Sequence, residues 1–269
     1  MQRGNPVRRT TVALSAAALA ITLGACSQGG TPASPGNAGQ EQTESSSSPF
    51  KDISSLISSA KSNMDAKKTV TVSFEGTGAV QALGSTKCQL DIAQTEMACT
   101  GATEMVFTKD GMYIKSPELA QLSGDPSKPW LKMAANDSMA QQLGQLGKIN
   151  DFESMLPPGS KITSSAKEQV DGQEATRYEI VTDLKEAAAG AKPEEKPAFQ
   201  ALADAGVTEL KQTVWVDAEG LPLKTDSTTP ALTVAGQQIP ESTMTVHYSD
   251  WGKPVQITVP PADQVQEKR

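Results

Sequence analysis

The sequence predicts an α+β protein in which one antiparallel sheet is covered by helices on one side. Three observations lead to this class. A segment that starts near residue 50 has helical spacing, about a dozen short runs after residue 68 alternate apolar and polar residues, and glycine-containing turns separate several of these runs. Strands joined by short turns form an antiparallel meander, and the apolar face of the helix must be buried against it.

The helix is expected to open the folded domain. Ser48 is the predicted N-cap, Pro49 occupies the first helical position, and Asp52 lies in the first turn. Apolar residues that recur at helical spacing predict one buried face. These residues are Phe50, Ile53, Leu56, Ile57, Ala60 and Met64.

The strands are predicted from period-two alternation. In the first run, Val70, Val72 and Phe74 alternate with threonine and serine, which is typical of a strand with one buried face. Two other segments have helical character, residues 137–147 and residues 184–205, and prolines 193 and 197 interrupt the second. Further strands are predicted over residues 86–92, 96–100, 105–108, 112–115, 130–133, 176–182, 209–217, 222–228, 232–234, 243–248 and 255–259.

The N-terminus has the three zones of a secretory signal. Arginines come first, an apolar stretch over residues 11–23 follows, and the sequence LGAC at residues 23–26 has the form of a lipobox. The apolar stretch is shorter than the roughly 20 residues of a transmembrane helix. We therefore expect residues 1–25 to be a lipoprotein signal peptide, with diacylglycerol on Cys26 holding the protein at the extracytoplasmic face of the cell membrane.

The mature chain is expected to consist of a stalk, one domain and a short tail. Residues 26–48 are predicted to be a disordered stalk, because they are mostly small and polar and have almost no large apolar side chain. The domain is expected over residues 49–265 and the tail over residues 266–269. Loss of the signal peptide leaves 21 basic and 31 acidic residues, a formal charge of −10. This charge argues against a nucleic acid as a partner.

Two cysteines remain after lipidation of the first. Cys88 and Cys99 lie eleven residues apart, on two predicted strands joined by a turn near Thr95. An even pair in an exported protein predicts a disulfide across this hairpin. The alternative is a redox-active or metal-binding pair, but the spacing differs from Cys-x-x-Cys and no histidine cluster accompanies it.

Few residue patterns in the chain are typical of catalysis. His247 is the only histidine, whereas a triad or a zinc site usually needs histidine with defined partners. Residues 58–61 and 164–167 have the form Ser-x-x-Lys, one element of the penicillin-binding protein pattern, but the accompanying Ser-Asp-Asn and Lys-Thr-Gly elements are missing. We therefore expect a non-catalytic protein without a metal or a cofactor.

Three C-terminal segments resemble a known family. They read VDGQEATRYEI at residues 170–180, VWVDAEGLPLK at residues 214–224 and YSDWGKPVQITVPP at residues 248–261. Together with the lipobox, the polar stalk and the opening amphipathic helix, this order resembles the LppX/LprG-type lipoproteins of actinobacteria. The resemblance covers most of the mature chain and is looser over residues 85–160.

The resemblance implies a fold and a ligand class. The fold is a strongly curved antiparallel sheet, a half-barrel similar to that of the LolA and LolB carriers, with helices packed on its concave side. In some members a cavity holds acylated glycolipids, which implies that this chain binds or transfers lipids. The candidate cavity residues are Ile53, Leu56, Ile57, Val72, Phe74, Met105, Phe107, Met112, Val214 and Val216.

The alternative is that the same apolar residues fill a closed core. The eight methionines that follow the signal peptide suit either a flexible apolar surface for varied ligands or a well-filled interior. With a closed core the protein would be a non-catalytic envelope sensor or interaction module, and its partner would be another envelope protein.

Overall fold

The computed structural model describes residues 48–267 except residues 84, 118, 120–124, 135–151, 194 and 235–236. Within these ranges the α-helices are α1 (Ile53–Lys67), α2 (Phe152–Met155), α3 (Leu184–Gly190) and α4 (Lys196–Asp204). None of the helices in the described ranges is long and apolar enough to cross a membrane.

Strands contain more of the described residues than helices do. In chain order they are β1 (Thr69–Gly76), β2 (Thr86–Asp91), β3 (Glu96–Thr100), β4 (Glu104–Thr108), β5 (Gly111–Lys115), β6 (Trp130–Met133), β7 (Ser160–Val170), β8 (Gln173–Asp183), β9 (Glu209–Val216), β10 (Pro222–Thr229), β11 (Leu232–Val234), β12 (Gln237–Ile239), β13 (Ser242–Ser249) and β14 (Val265–Glu267).

Twelve strands form one open, curved sheet, and β11 and β12 form a separate pair. The order across the large sheet is β14-β6-β5-β4-β3-β2-β1-β13-β10-β9-β8-β7. All neighbours are antiparallel except β14 and β6, which are parallel. The predicted α+β class with a curved antiparallel sheet is therefore confirmed.

Helix α1 packs on one face of the sheet, which we call the inner face. Leu56, Ala60 and Met64 are buried in a cluster with side chains of β8 and β9. The amide of Asn63 and the hydroxyl of Ser59 donate to the carbonyl of Glu219, in the turn between β9 and β10, at 2.6 and 3.0 Å. The helix is thus fixed over one half of the sheet. Helices α3 and α4 instead follow the end of β8 and pack on each other.

The start of α1 differs from the prediction. Asp52 is the N-cap, and its carboxylate accepts hydrogen bonds from the Ser55 backbone amide at 2.8 Å and the Ser54 hydroxyl at 2.6 Å. The prediction of Ser48 as the N-cap was wrong, because its hydroxyl donates instead to the hydroxyl of buried Tyr178 at 2.8 Å. That bond holds the entering chain on β8.

The cap at Asp52 predicts a pH dependence of stability. The hydrogen bond from Ser54, then that from the Ser55 amide, holds the pKa of Asp52 below its usual value of 3.8. A carboxylate with a lowered folded pKa stabilises the protein above the unfolded pKa, and this stabilisation is lost as pH falls through the folded value. We expect Asp52→Asn to lower the urea midpoint at about pH 7 and to have no such effect at about pH 2. Equal effects at both pH values would contradict the role of the charge.

One predicted strand is an unpaired segment that crosses the other face of the sheet, which we call the outer face. After β13, the amide of Gly252 donates to the carbonyl of Thr69 on β1 at 2.9 Å. The amide of Gln256 then donates to the side-chain carbonyl of Gln89 on β2 at 3.2 Å. The chain ends in β14, which pairs with β6. Residues 253–264 therefore connect β1 to β6 across the outer face.

The alternation that predicted a strand over residues 255–259 has another origin. Val255 and Ile257 are half-buried, whereas Gln256 and Thr258 are exposed. An extended segment that packs on a sheet alternates in this way without belonging to a ladder. The sheet also continues to Glu267, two residues beyond the predicted end of the domain at residue 265.

The remaining elements compare with the predictions in three ways. Strand β7 was not predicted, because it is the edge strand and its side chains are mostly half-buried or exposed on both faces. The helix predicted over residues 137–147 lies outside the described residues. The helical character of residues 184–205 and its interruption near Pro193 are confirmed by α3 and α4.

Candidate functional site

The inner face of β1 to β6 presents two parallel rows of apolar side chains, one residue from each strand in each row. The cross-strand register places the members of each row next to one another. The first row is Val72, Cys88, Cys99, Met105, Ile114 and Leu131. The second row is Val70, Leu90, Met97, Phe107, Met112 and Met133. We call these twelve residues the apolar wall.

The wall follows from period-two alternation in six consecutive neighbours. On each strand the residues that flank a wall residue point to the outer face, where many of them are polar, such as Ser73, Lys87 and Lys132. Six strands at about 4.8 Å spacing give a wall about 24 Å wide. The sequence therefore builds a continuous apolar surface out of short strands.

Burial is uneven along the wall. The wall residues on β1, β2 and β3 are at most 6% exposed, and so are Met112 and Met133. Met105, Phe107, Ile114 and Leu131 are only partly buried. Within the part of the chain that the structure describes, the cluster formed by these four residues with Met112 and Met133 contains strand residues alone.

The ten predicted cavity residues fall into two groups. Val72, Met105, Phe107 and Met112 belong to the wall, and Phe74 packs in the same cluster as Val72. The other five lie at the contact between α1 and β9, where Leu56, Val214 and Val216 are buried and two residues of α1 are partly buried. Those two residues are Ile53 and Ile57.

Aromatic side chains lie where the two groups meet. Tyr248 packs with the wall, and its hydroxyl lies 3.5 Å from the sulfur of Met155 next to α1. Burial raises the pKa of Tyr248. Trp251 and Ile92 pack against both clusters. The inner face is thus one apolar surface with a helix over one half.

The wall includes residues that the sequence did not single out as cavity residues. Met97, Ile114, Leu131 and Met133 stand in the two rows between or beside the predicted ones. The sequence signal for these four residues is the period-two alternation within their own strands, the same signal that marked Met105 and Phe107. Assigning them needed the pairing of strands, which alternation within one strand does not reveal.

The residues that were considered for catalysis or metal binding lie outside the apolar wall, apart from the two cysteines. His247 projects from the outer face of β13, as the alternation predicted, with Nδ1 3.7 Å from Asp171 and Nε2 4.0 Å from Glu75. Ser164 donates to Glu179, whereas Lys167 donates to Thr176. The two side chains of this Ser-x-x-Lys segment thus have separate partners.

The structure also gives the positions and partners of the other residues that were considered for catalysis or metal binding. Ser58 and Lys61 lie on the exposed side of α1, where Lys61 pairs with Asp65 at 3.6 Å. Cys88 and Cys99 form the predicted disulfide. Among the described residues, no group of three or more His, Cys, Asp or Glu side chains is arranged to hold a metal ion.

Comparisons with known proteins give similarity in structure only. No protein-family model and no curated protein matches the sequence. The lipoprotein LppX of Mycobacterium tuberculosis is similar over 77% of this chain and 100% of its own, with 15% identity and a TM-score of 0.42. LprF of Mycobacterium bovis is similar over 78% and 99%, with 15% identity and a TM-score of 0.41.

A more distant similarity involves a LolA superfamily protein of Nitrosomonas europaea. It covers 73% of this chain and 91% of that protein, with 11% identity and a TM-score of 0.26. LppX gives its name to the lipoprotein type that the three C-terminal sequence segments resemble. At these identities and TM-scores, the similarity leaves the function of this chain to be argued from its own residues.

Proposed function

We propose that the protein is a membrane-tethered lipid-binding protein that holds the acyl chains of an amphiphile against the apolar wall. The apolar wall is the observation that carries the proposal. Four of its residues are partly exposed although they are large and apolar: Met105, Phe107, Ile114 and Leu131. A ligand that covers them gains by removing both its own and their apolar surface from water.

The dimensions of the wall suit an acyl chain. One leaflet of a bilayer has a hydrocarbon depth of about 15 Å, half of the roughly 30 Å core. The wall is about 24 Å wide, so an extended chain fits along a row. Each methylene that leaves water contributes about 0.8 kcal/mol, so affinity requires no charged anchor.

Methionine gives the wall its adaptability. Met97, Met105, Met112 and Met133 are spread over β3 to β6. The unbranched thioether side chain has three rotatable bonds and accepts partners of different shape. A wall of this composition favours acyl chains of varied length over one rigid ligand.

The tether belongs to the same proposal. Diacylglycerol on Cys26 would hold the chain at the extracytoplasmic face of the membrane, and the stalk of residues 26–48 would keep the domain about 25 Å away on average. A domain at that distance remains within reach of membrane lipids.

A closed core is the second candidate, and the burial of part of the wall favours it. Val72, Phe74 and Met112 are 0%, 7% and 3% exposed. Side chains buried to this extent are typical of an interior filled by the protein itself. The protein would then be an envelope sensor or an interaction module for another envelope protein.

Native mass spectrometry of the secreted Cys26→Ser chain separates the two candidates. We expect lipids to copurify with this chain, and Phe107→Asp to lower the bound fraction about tenfold, because a charge on the wall is costly to bury. Val106→Asp is the matched control, since Val106 neighbours Phe107 on the same strand but points to the outer face and is buried there. A chain that carries no lipid, or an equal loss in both variants, would contradict lipid binding at the wall.

A further inference from the structure

A separate concave site lies at one end of the sheet. It is a cavity of about 350 Å³, at the lower end of the range of small-molecule pockets. Four elements meet there: the end of α1, the turn between β7 and β8, the turn between β9 and β10, and the segment after β13. We call it the rim pocket. Most of its lining is polar or charged, unlike that of the apolar wall.

The first turn places one carboxylate at the rim pocket. Asp171 and Gly172 form a two-residue hairpin loop with φ of 51° and 80°, the left-handed conformation that Asp-Gly turns adopt. The Asp171 carboxylate lies 3.7 Å from Nδ1 of His247 on β13. The tip of the hairpin therefore lies beside β13.

The second turn contributes a buried carboxylate. Asp217 is 7% exposed, and its Oδ1 accepts hydrogen bonds from the backbone amides of Glu219 at 3.0 Å and Leu221 at 2.8 Å. Burial raises the pKa of Asp217. Gly220 in this turn has φ of +89° and lies so close to Phe50 and Ser59 that a side chain would collide with them. The carboxylate therefore has a fixed position in the pocket lining.

An aromatic ring forms another part of the lining. Trp251 stacks on Tyr248 with ring planes at 8° and centroids 6.1 Å apart. Its indole N–H donates to the carbonyl of Pro222 at 2.9 Å. The ring is thus held in one orientation before any ligand arrives, which lowers the entropic cost of binding.

The charges around the pocket are nearly balanced. Lys67 and Lys253 provide ammonium groups, and Asp250 adds a third carboxylate, which pairs with Lys253 at 2.6 Å. Three carboxylates repel a strongly anionic ligand, and two ammonium groups repel a cationic one. The lining therefore favours a neutral ligand. Hydroxyl groups both donate and accept, so a neutral polyol can use every group in this lining.

We propose that the rim pocket binds a neutral hexose unit. The C–H face of the sugar packs on the Trp251 ring, its hydroxyls donate to the carboxylates of Asp171 and Asp217, and the Gln173 amide and the two lysines donate to its oxygens. A hexose of this kind occurs both at the end of a free glycan and as the headgroup of a glycolipid. The site does not depend on lipid binding at the apolar wall.

Ligand-observed NMR on the secreted Cys26→Ser chain tests this proposal. The probes are methyl β-glucoside, methyl α-mannoside and methyl β-galactoside at about 10 mM, and octyl β-glucoside below its critical micelle concentration. We expect saturation transfer to at least one methyl glycoside. Asp171→Asn and Trp251→Ala are each expected to weaken its binding at least about fivefold, because the first replaces a charged acceptor with a weaker neutral one and the second removes the ring on which the sugar packs.

A matched variant controls for indirect effects. Asp110→Asn makes the same change in the turn between β4 and β5, which is outside the rim pocket, and should leave affinity unchanged. Asparagine tolerates the left-handed backbone at residue 171, so Asp171→Asn keeps the fold even where Trp251→Ala unfolds the protein. Thermal melting of both variants identifies such unfolding.

The outcomes distinguish the sources of the sugar. Equal affinity for methyl and octyl glucoside indicates a free glycan end. Tighter octyl glucoside binding that remains sensitive to Asp171→Asn indicates a glycolipid headgroup. No saturation transfer to any methyl glycoside, or binding that Asp171→Asn and Asp110→Asn affect equally, would overturn the proposal. Lipid binding at the wall is read separately by Phe107→Asp.

Discussion

Replacing Leu56 by alanine is expected to lower the free energy of unfolding by about 2–5 kcal/mol. The Leu56 side chain is 0% exposed and lies in the cluster that joins α1 to Tyr178, Val214 and neighbouring residues of β8 and β9. Truncation removes its transfer free energy and leaves a cavity between helix and sheet. Urea unfolding followed by circular dichroism measures the effect.

The same helix offers two control positions. Ile57 is only partly buried, so Ile57→Ala should cost less than Leu56→Ala. Lys61 is exposed and pairs with Asp65 on the helix surface, so Lys61→Ala should change stability by no more than about 0.5 kcal/mol. A Leu56→Ala variant as stable as Lys61→Ala would mean that α1 does not pack as described.

The Leu56 variant also separates stability from ligand binding. If the half of the inner face under α1 is structural, Leu56→Ala lowers stability and still retains lipid. Phe107→Asp on the apolar wall loses lipid. Loss of lipid in a folded Leu56→Ala protein would extend the lipid site beneath the helix.

Most of the sheet could be predicted because its strands have one buried face. In β1, Val70, Val72 and Phe74 alternate with polar residues, and all three are buried in the structure. Alternation is a poor guide where the burial of side chains does not correspond to hydrogen bonding within the sheet. Strand β7 is an edge strand without a clear alternation, and residues 255–259 alternate because they pack on the outer face.

The start of α1 was predicted wrongly because of a long-range contact. Both Ser48 and Asp52 are good capping residues, and the sequence does not reveal that Ser48 is engaged by Tyr178, 130 residues away. A contact over such a distance depends on the complete fold. The choice between two equivalent caps therefore lay outside the reach of sequence reasoning.

The candidate site could be predicted by residue type but not by arrangement. Met105, Phe107 and Met112 face the same side of the sheet in the structure, and alternation within each strand already indicates which residues share a face. The rows depend on which strands pair and in which register, and β1 pairs with β13, which is distant in sequence. The rim pocket is formed by four elements that are distant in sequence: the end of α1, two turns and the segment after β13. No single sequence motif marks such a site.

Removing the disulfide is the second change with a large expected effect. Cys88 and Cys99 are 2% and 3% exposed and face each other on β2 and β3 within the apolar wall. In the loop-closure model, a cross-link over about eleven residues stabilises a protein by about 2–3 kcal/mol. We expect the Cys88→Ala/Cys99→Ala double variant to lose about this much, measured by guanidinium unfolding under oxidising conditions.

The reduced wild-type protein is the matched comparison. Dithiothreitol should lower its stability towards that of the double variant, while leaving the double variant itself unchanged. Identical unfolding midpoints for the oxidised wild type and the double variant would contradict a stabilising cross-link.

The disulfide also fixes the register on which the wall depends. A slip of one residue between β2 and β3 would turn Met97 and Met105 to the outer face, because successive side chains alternate. The cross-link between paired positions forbids this slip. In the double variant, amide hydrogen exchange should therefore accelerate in β3 and β4 and remain unchanged in β8 and β9. Uniform acceleration would indicate a purely global loss of stability, in which case the disulfide would have no particular role in holding the wall together.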